Sequence, residues 1–341
     1  MSVNGKPKFA MYWAAACGGC EIAVLNIHEK ILDVDAAFEV VFWPVAVDTK
    51  YKDVEAMPDG AITLTLFDGG IRNHENAEMA HLLRRKSQIM VAFGSCACEG
   101  CIPGLANLST IESVYETVYQ SVSTVNPTQV RPHTTWQVPE GELHIPEMYP
   151  ALRALDQVVP VDYYMPGCPP ESHQIEAVIS LVIQALAGQA TLPPKGSLIG
   201  VGTSTVCDEC PRTRNVKTIA KFERIQHLER IDPELCLLEQ GIPCNGPATV
   251  SGCNARCPQA GAQCIGCYGP GPGVIDYGAR LISAFASVLE GEEPEQIERG
   301  LDSLPDPVGQ VYRFSLAKSL LKATRAVPEI PEEEPHAAHQ H

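Results

Sequence analysis

Cysteines Cys17 and Cys20 form the run Cys-Gly-Gly-Cys, Cys96 sits in Gly94-Ser95-Cys96, and Cys168 opens Cys168-Pro169-Pro170. The second half of the chain carries two further groups of four. Cys207 and Cys210 pair naturally with Cys236 and Cys244, at steps of 3, 26 and 8 residues. Cys253, Cys257, Cys264 and Cys267 are closer together, at steps of 4, 7 and 3. A Cys-x-x-Cys step lets neighbouring thiolates grip one metal ion or two irons of one cluster. Pro169, Pro211 and Pro258 each follow a Cys directly and remove a backbone donor beside the sulfur, as in ferredoxin-type runs. Four thiolates without His suit either zinc or an iron–sulfur cluster.

Three chemistries compete for these thiols. Structural zinc would staple a loop-rich region equally well, although zinc ribbons favour paired Cys-x-x-Cys arms with regular hairpins, and these spacings are irregular. A strand, Cys-Gly-Gly-Cys and a helix is also how a thioredoxin-type dithiol reads, but that leaves the other twelve of the 14 Cys without a role. Iron–sulfur binding accounts for three complete quartets.

Such thiols need elements to hold them. Lys8 to Trp13 reads as a short apolar strand, followed by the Cys/Gly turn and a helical pattern over Glu21 to Leu32. Phe38 to Val47, Ala61 to Phe67 and Ser87 to Phe93 are apolar runs without clean alternation, as in strands buried on both faces. Helical periodicity marks Asn76 to Lys86, Leu108 to Tyr119 and Ile175 to Leu186, with a further strand around Val158 to Met165 and a polar excursion over 124–149. Repeated strand–loop–helix units imply a parallel, doubly wound sheet whose post-strand loops emerge at one edge. Cys17, Cys20, Cys96 and Cys168 all lie on such loops and can converge there.

Pro and Gly over 188–202 mark a boundary. Residues 203–275 hold eight Cys and little periodicity, so bound metal would have to supply the cross-links that a small core cannot. Helical patterns return over Tyr277 to Leu289, Pro294 to Leu304 and Val308 to Ala326. The expected division is 1–190, 191–326 and a disordered tail over 327–341.

Composition narrows the setting. With 25 Lys plus Arg against 41 Asp plus Glu, the formal charge is −16, which argues against nucleic-acid binding. Met1 to Ala10 lacks an export signal and no transmembrane segment is expected, so the chain is read as cytoplasmic, where clustered Cys serve metals or redox chemistry.

Cys-Gly-Gly-Cys-Glu at 17–21, Gly-Ser-Cys-Ala at 94–97, Gly-Cys-Pro-Pro at 167–170 and the cysteine-rich second half resemble the small, electron-transferring subunit of [NiFe] hydrogenases. Asp68 to Asn73, Ile102 to Asn107, Cys236 to Gly241 and Gly246 to Thr249 resemble the cytoplasmic, methyl-viologen-reducing type. The resemblance implies a flavodoxin-like α/β domain followed by a loop-rich domain stapled by clusters, three [4Fe–4S] in all. Cys17, Cys20, Cys96 and Cys168 would bind the proximal cluster, Cys253, Cys257, Cys264 and Cys267 the medial one, and Cys207, Cys210, Cys236 and Cys244 the distal one. It also implies a NiFe-containing large subunit that holds the hydrogen-splitting centre, which this chain lacks. The implied acceptor is a [2Fe–2S] or ferredoxin-like adaptor subunit, as in a heterodisulfide-reductase-type complex. A cluster subunit of a quinone oxidoreductase would share the first domain alone. Cys98 and Cys101 fall outside the quartets and read as small buried residues, with ligation or exchange with Cys96 as the alternative for one of them. Glu21 and His173 border the first site and read as an ordinary helix-start carboxylate and a surface His, with support of the cluster ligands or proton carriage as the alternative for either.

Overall fold

A computed structural model describes residues 5–216, 218–291 and 293–321. Nine strands are present among them: β1 Lys8–Trp13, β2 Glu39–Phe42, β3 Ile62–Asp68, β4 Ile71–Asn73, β5 Ser87–Phe93, β6 Thr135–Val138, β7 Gly141–His144, β8 Met148–Arg153 and β9 Tyr163–Met165. Five make a parallel sheet in the order β2-β1-β3-β5-β9. Helices α1 Gly19–Leu25, α2 Ile31–Ala37, α3 Tyr51–Glu55, α4 His74–Lys86, α5 Gly94–Glu99, α6 Ile111–Tyr115 and α7 Ser172–Leu186 accompany it.

Alternate side chains of each strand feed opposite cores, as the pleat requires. Phe9 and Met11 of β1 join α1, α2 and α7 on one face, through Val24, Val34, Ile175 and Val178. Ala10 and Tyr12 join α3, α4 and α5 on the other, through Val54, Leu83 and Ala97. The sheet is therefore doubly wound, and the apolar runs lack alternation because both faces are covered.

Several expected elements are shorter. The strand after Phe38 ends at Phe42, because the chain turns at Trp43, whose carbonyl receives the N–H groups of both Ala46 and Val47, and Pro44 within the turn has no N–H to give. The helical stretch from residue 21 breaks at His28, where φ is +56°, and resumes as α2. The strand before Cys168 keeps only Tyr163–Met165, preceded by a 3₁₀ turn at Leu155–Gln157. The excursion carries the exposed hairpin β6–β7, and β8 pairs antiparallel with β4.

The later residues hold short helices: α8 Val206–Glu209, α9 Arg256–Gln259, α10 Tyr277–Ala286, α11 Pro294–Asp302 and α12 Pro307–Tyr312. They gather around a separate core that includes Val206, Ile242, Leu281 and Phe285. The helix expected over Val308 to Ala326 stops at Tyr312. Beyond it the chain crosses to the first half: Phe314 packs with Cys96 and Cys101, and Lys318 reaches Asp156 (2.8 Å) and Glu99 (3.6 Å). Burial of Phe314 and neutralisation of two half-buried carboxylates outweigh continued helix. The expected tail, 327–341, lies outside the described residues.

Candidate metal centres

Local backbone geometry creates the first site. Gly18, at φ +79°, ends the turn after β1 in the left-handed region and caps α1, which carries Cys20. Gly94, also at φ +79°, makes the same kind of entry from β5 into α5, which carries Cys96. A Cβ on Gly94 would stand 2.3 Å from the Cys20 sulfur, so only glycine leaves room there. The next strand, β9, delivers Cys168 through Pro166 and Gly167. Sheet order thus sets the loops after β1, β3, β5 and β9 side by side.

Cys20 and Cys96 are buried, Cys17 and Cys168 exposed. Cys20 lies within electrostatic reach of both Cys96 and Cys168, and burial, then the adjacent Asp68, pushes its thiol far above the ordinary range. Cys17 stands three residues before Cys20 in the same turn. Cys101, outside the expected quartet, is fully buried with its sulfur 3.8 Å from that of Cys168. Its hydrogen bonds to Cys168 and Cys96, then its burial, hold its thiol protonated. Cys98 is buried beside it, its thiol donating to the Ala92 carbonyl at 3.3 Å.

Asp68 escapes a reading from sequence, and Glu21, which borders the site in the sequence, is more buried than expected. Asp68, at the end of β3, is fully buried with neither carboxylate oxygen in a full hydrogen bond, and burial lifts it to about 7. The motif Asp68-Gly-Gly is visible in the chain, but nothing in it signals that the carboxylate faces Cys20. Glu21 is 4% exposed and accepts a 3.0 Å hydrogen bond from the Trp43 indole, so it is not an ordinary helix-start carboxylate. Its pKa is raised by burial. His173 is exposed, as expected for a surface His.

Cys253, Cys257, Cys264 and Cys267 line a cavity of about 340 Å³ that Cys168 also lines, so the second group abuts the first. The third group, Cys207, Cys210, Cys236 and Cys244, lines one small space with Arg212 and Arg214 at its side. A Cβ on Gly246 would approach the Cys207 sulfur to 2.9 Å. Burial pushes Cys207 up to about 12, Cys244 to about 11 and Cys267 to about 12. Metal loading must therefore displace protons from these thiols.

Hydrogen bonds join the groups. The Ser95 hydroxyl donates to the Cys267 carbonyl at 2.5 Å, and the Cys264 N–H donates to the Cys244 sulfur at 3.4 Å. The all-thiol donor sets and the glycine-lined approaches to Cys20 and Cys207 fit iron–sulfur clusters. Among the described residues, no three His, Cys, Asp or Glu side chains are gathered closely enough to grip a single metal ion, and the second and third quartets each line a space.

The family described as NADH ubiquinone oxidoreductase, 20 Kd subunit, matches residues 17–182, which include the first group alone. The iron-sulfur subunit of the F420-non-reducing hydrogenase from Archaeoglobus profundus is 40% identical over 92% of this chain and 97% of its own length. The corresponding F420-non-reducing hydrogenase chain of Methanothermobacter marburgensis is 36% identical over 93% and 96% respectively. These two relatives extend through both halves. A solved NAD+-reducing [NiFe]-hydrogenase in the H2-reduced state is 26% identical, covering 56% of this chain and 96% of that one, with a TM-score of 0.46.

Proposed function

The chain belongs to the iron–sulfur subunits of F420-non-reducing hydrogenases, small electron-transferring subunits of [NiFe] hydrogenases of the methyl-viologen-reducing type, and we propose that it relays electrons through three [4Fe–4S] clusters. In this reading Cys17, Cys20, Cys96 and Cys168 hold the cluster nearest the NiFe subunit. Cys253, Cys257, Cys264 and Cys267 hold the middle one, and Cys207, Cys210, Cys236 and Cys244 the outer one. When bound, the clusters supply carriers that gain and lose one electron at a time.

The protein's part is to bind, space and shelter. What supports a relay is one observation: the middle quartet is hydrogen-bonded at Cys267 to Ser95, the neighbour of Cys96, and at Cys264 to Cys244 of the outer quartet. Phe314 and Cys101 cover Cys96 with apolar surface, which excludes water from the innermost thiols. Residues 1–190 and 191–326 form the two domains of this reading, a doubly wound one and a cluster-held one.

A NiFe large subunit is the partner. Trp13 beside Gly18, and Ile22 and Leu25 on α1, are exposed next to the Cys17–Cys20 turn, and a partner would remove that apolar surface from water. The acceptor is proposed to be a [2Fe–2S] or ferredoxin-like adaptor subunit of a heterodisulfide-reductase-type assembly, and not F420. Among the described residues no helix is long and apolar enough to cross a membrane. Thiol-rich usage of this kind suits the cytoplasm, which is the proposed location.

The complex with its NiFe subunit tests the relay under hydrogen. Cys264→Ser should leave the first cluster reducible by hydrogen while the outer cluster stays oxidised. An outer cluster reduced at the native rate in that variant would end the proposed order.

A further inference from the structure

Ser95 is a polar side chain with 1% exposure, at the seam between the two halves. Its hydroxyl makes two hydrogen bonds there. It donates to the Cys267 carbonyl at 2.5 Å and accepts from the Gly167 N–H at 3.0 Å, while the Ser95 N–H donates to the Gly167 carbonyl at 2.8 Å. Each of these three residues adjoins or is a cysteine of the sites above. Ser95 precedes Cys96, Gly167 precedes Cys168, and Cys267 belongs to the middle quartet. One oxygen atom therefore fastens two of the three cysteine-bearing loops of the first site, those of Cys96 and Cys168, to the backbone of the second.

We infer that Ser95 is a positioning residue whose hydroxyl clamps the Cys96 and Cys168 loops onto Cys267 and so fixes the electron route between the first and middle clusters. This rests on the cluster reading above. The step itself moves one electron: the first cluster is oxidised as the middle one is reduced, and no bond forms or breaks. A bonded path through a short hydrogen bond conducts an electron better than a jump across space. Loss of the hydroxyl removes that path and one of the two hydrogen bonds that hold Gly167 to Ser95. A buried hydroxyl with both bonds made also resists replacement by an apolar group, because the Cys267 carbonyl would lose its partner.

Other seam contacts hold the halves together without it, so the clamp is separable from folding. The Tyr268 hydroxyl donates to Gln174 at 2.6 Å and receives the Glu171 N–H at 3.0 Å, and Gln174 donates to the Gly252 carbonyl at 2.9 Å.

The test uses the purified complex with its NiFe subunit and compares Ser95→Ala, Ser95→Thr and Ser95→Val, the last two matched in size. After a pulse of hydrogen, the rate at which the middle cluster is reduced is followed by freeze-quench electron paramagnetic resonance. Midpoint potentials and the magnetic coupling between the two clusters are recorded alongside. Ser95→Ala and Ser95→Val should slow that step several-fold and weaken the coupling, with unchanged iron content and potentials, and Ser95→Thr should restore both. If the Ala and Val complexes fail to load while Thr loads, the hydroxyl serves cluster assembly and not the electron route, which overturns the inference. Equal rates in all four proteins overturn the inference, as does failure of Thr along with the others. Native complex that lacks two distinct cluster signals, one removed by Cys96→Ser and the other by Cys264→Ser, contradicts the cluster reading itself.

Discussion

Gly94 shows how tightly single residues govern the first site. Its φ of +79° already disfavours any side chain, and an added Cβ would overlap the Cys20 sulfur at 2.3 Å. Gly94→Ala should therefore displace Cys20 and lower iron content by about four atoms, one cubane's worth, while the clusters of the second half persist. Iron analysis with resonance spectra checks this; full iron with an unchanged first-cluster signal would contradict it. Cysteine positions are legible from sequence because the residue type itself carries the chemistry. Ser95 is not, since its partner Cys267 lies 172 residues away and a serine in a Gly-Ser-Cys turn has many ordinary uses. Cys101 reads from sequence as a small buried residue beside the site, and it is buried; its sulfur also meets Cys168, a contact that depends on two loops closing together.

At the scale of elements, the segment from Phe314 to Ser319 is the piece that periodicity misreads. Helical spacing continues past Tyr312, yet the chain turns away because its side chains find partners on the first half. Lys318 sits between Glu99 and Asp156, and those two carboxylates, with the Asp156 hydrogen bond, raise its pKa against the opposing effect of burial. Lys318→Met should leave two half-buried carboxylates without a counter-charge and cost about 1–3 kcal/mol, discounted because the lysine is partly solvated. Thermal unfolding of the complex reads this as a lowered Tm, and an unchanged Tm would refute it. Glu99 adds a pH dependence. Burial lifts its carboxyl from 4.5 to about 7 despite Lys318, so the folded state holds that proton more tightly than the unfolded state. Its contribution is complete below about 4.5 and is lost as pH rises through about 7. Glu99→Gln should flatten the fall in stability across that window; an identical slope in both proteins would show that the group titrates elsewhere. Strands β3 and β5 and helix α7 are legible nearly to their ends, because burial on both faces and a clear apolar period leave few alternatives. The hairpin β6–β7 is not, since its exposed residues give no buried face to detect.

For the whole molecule, the parallel sheet and the loop-rich half meet at the carboxyl edge, where Cys168 lines one cavity with Cys253, Cys257, Cys264 and Cys267, and Cys96 packs near Cys267. The acidic surface, −16 in formal charge, agrees with a subunit that meets protein partners and not nucleic acid. Against the small core expected from sequence, the second half buries a core comparable to each of those flanking the sheet, and bound clusters are expected to add to its stability. The identity of the metal groups decides between a relay and a zinc-stapled scaffold. The most direct measurement is the iron, sulfide and zinc content of this chain, purified without oxygen. The relay predicts about twelve irons and about twelve sulfides per chain, four of each per cluster, with broad brown absorbance. A colourless chain holding zinc alone, or one holding a single cluster's iron, would contradict it.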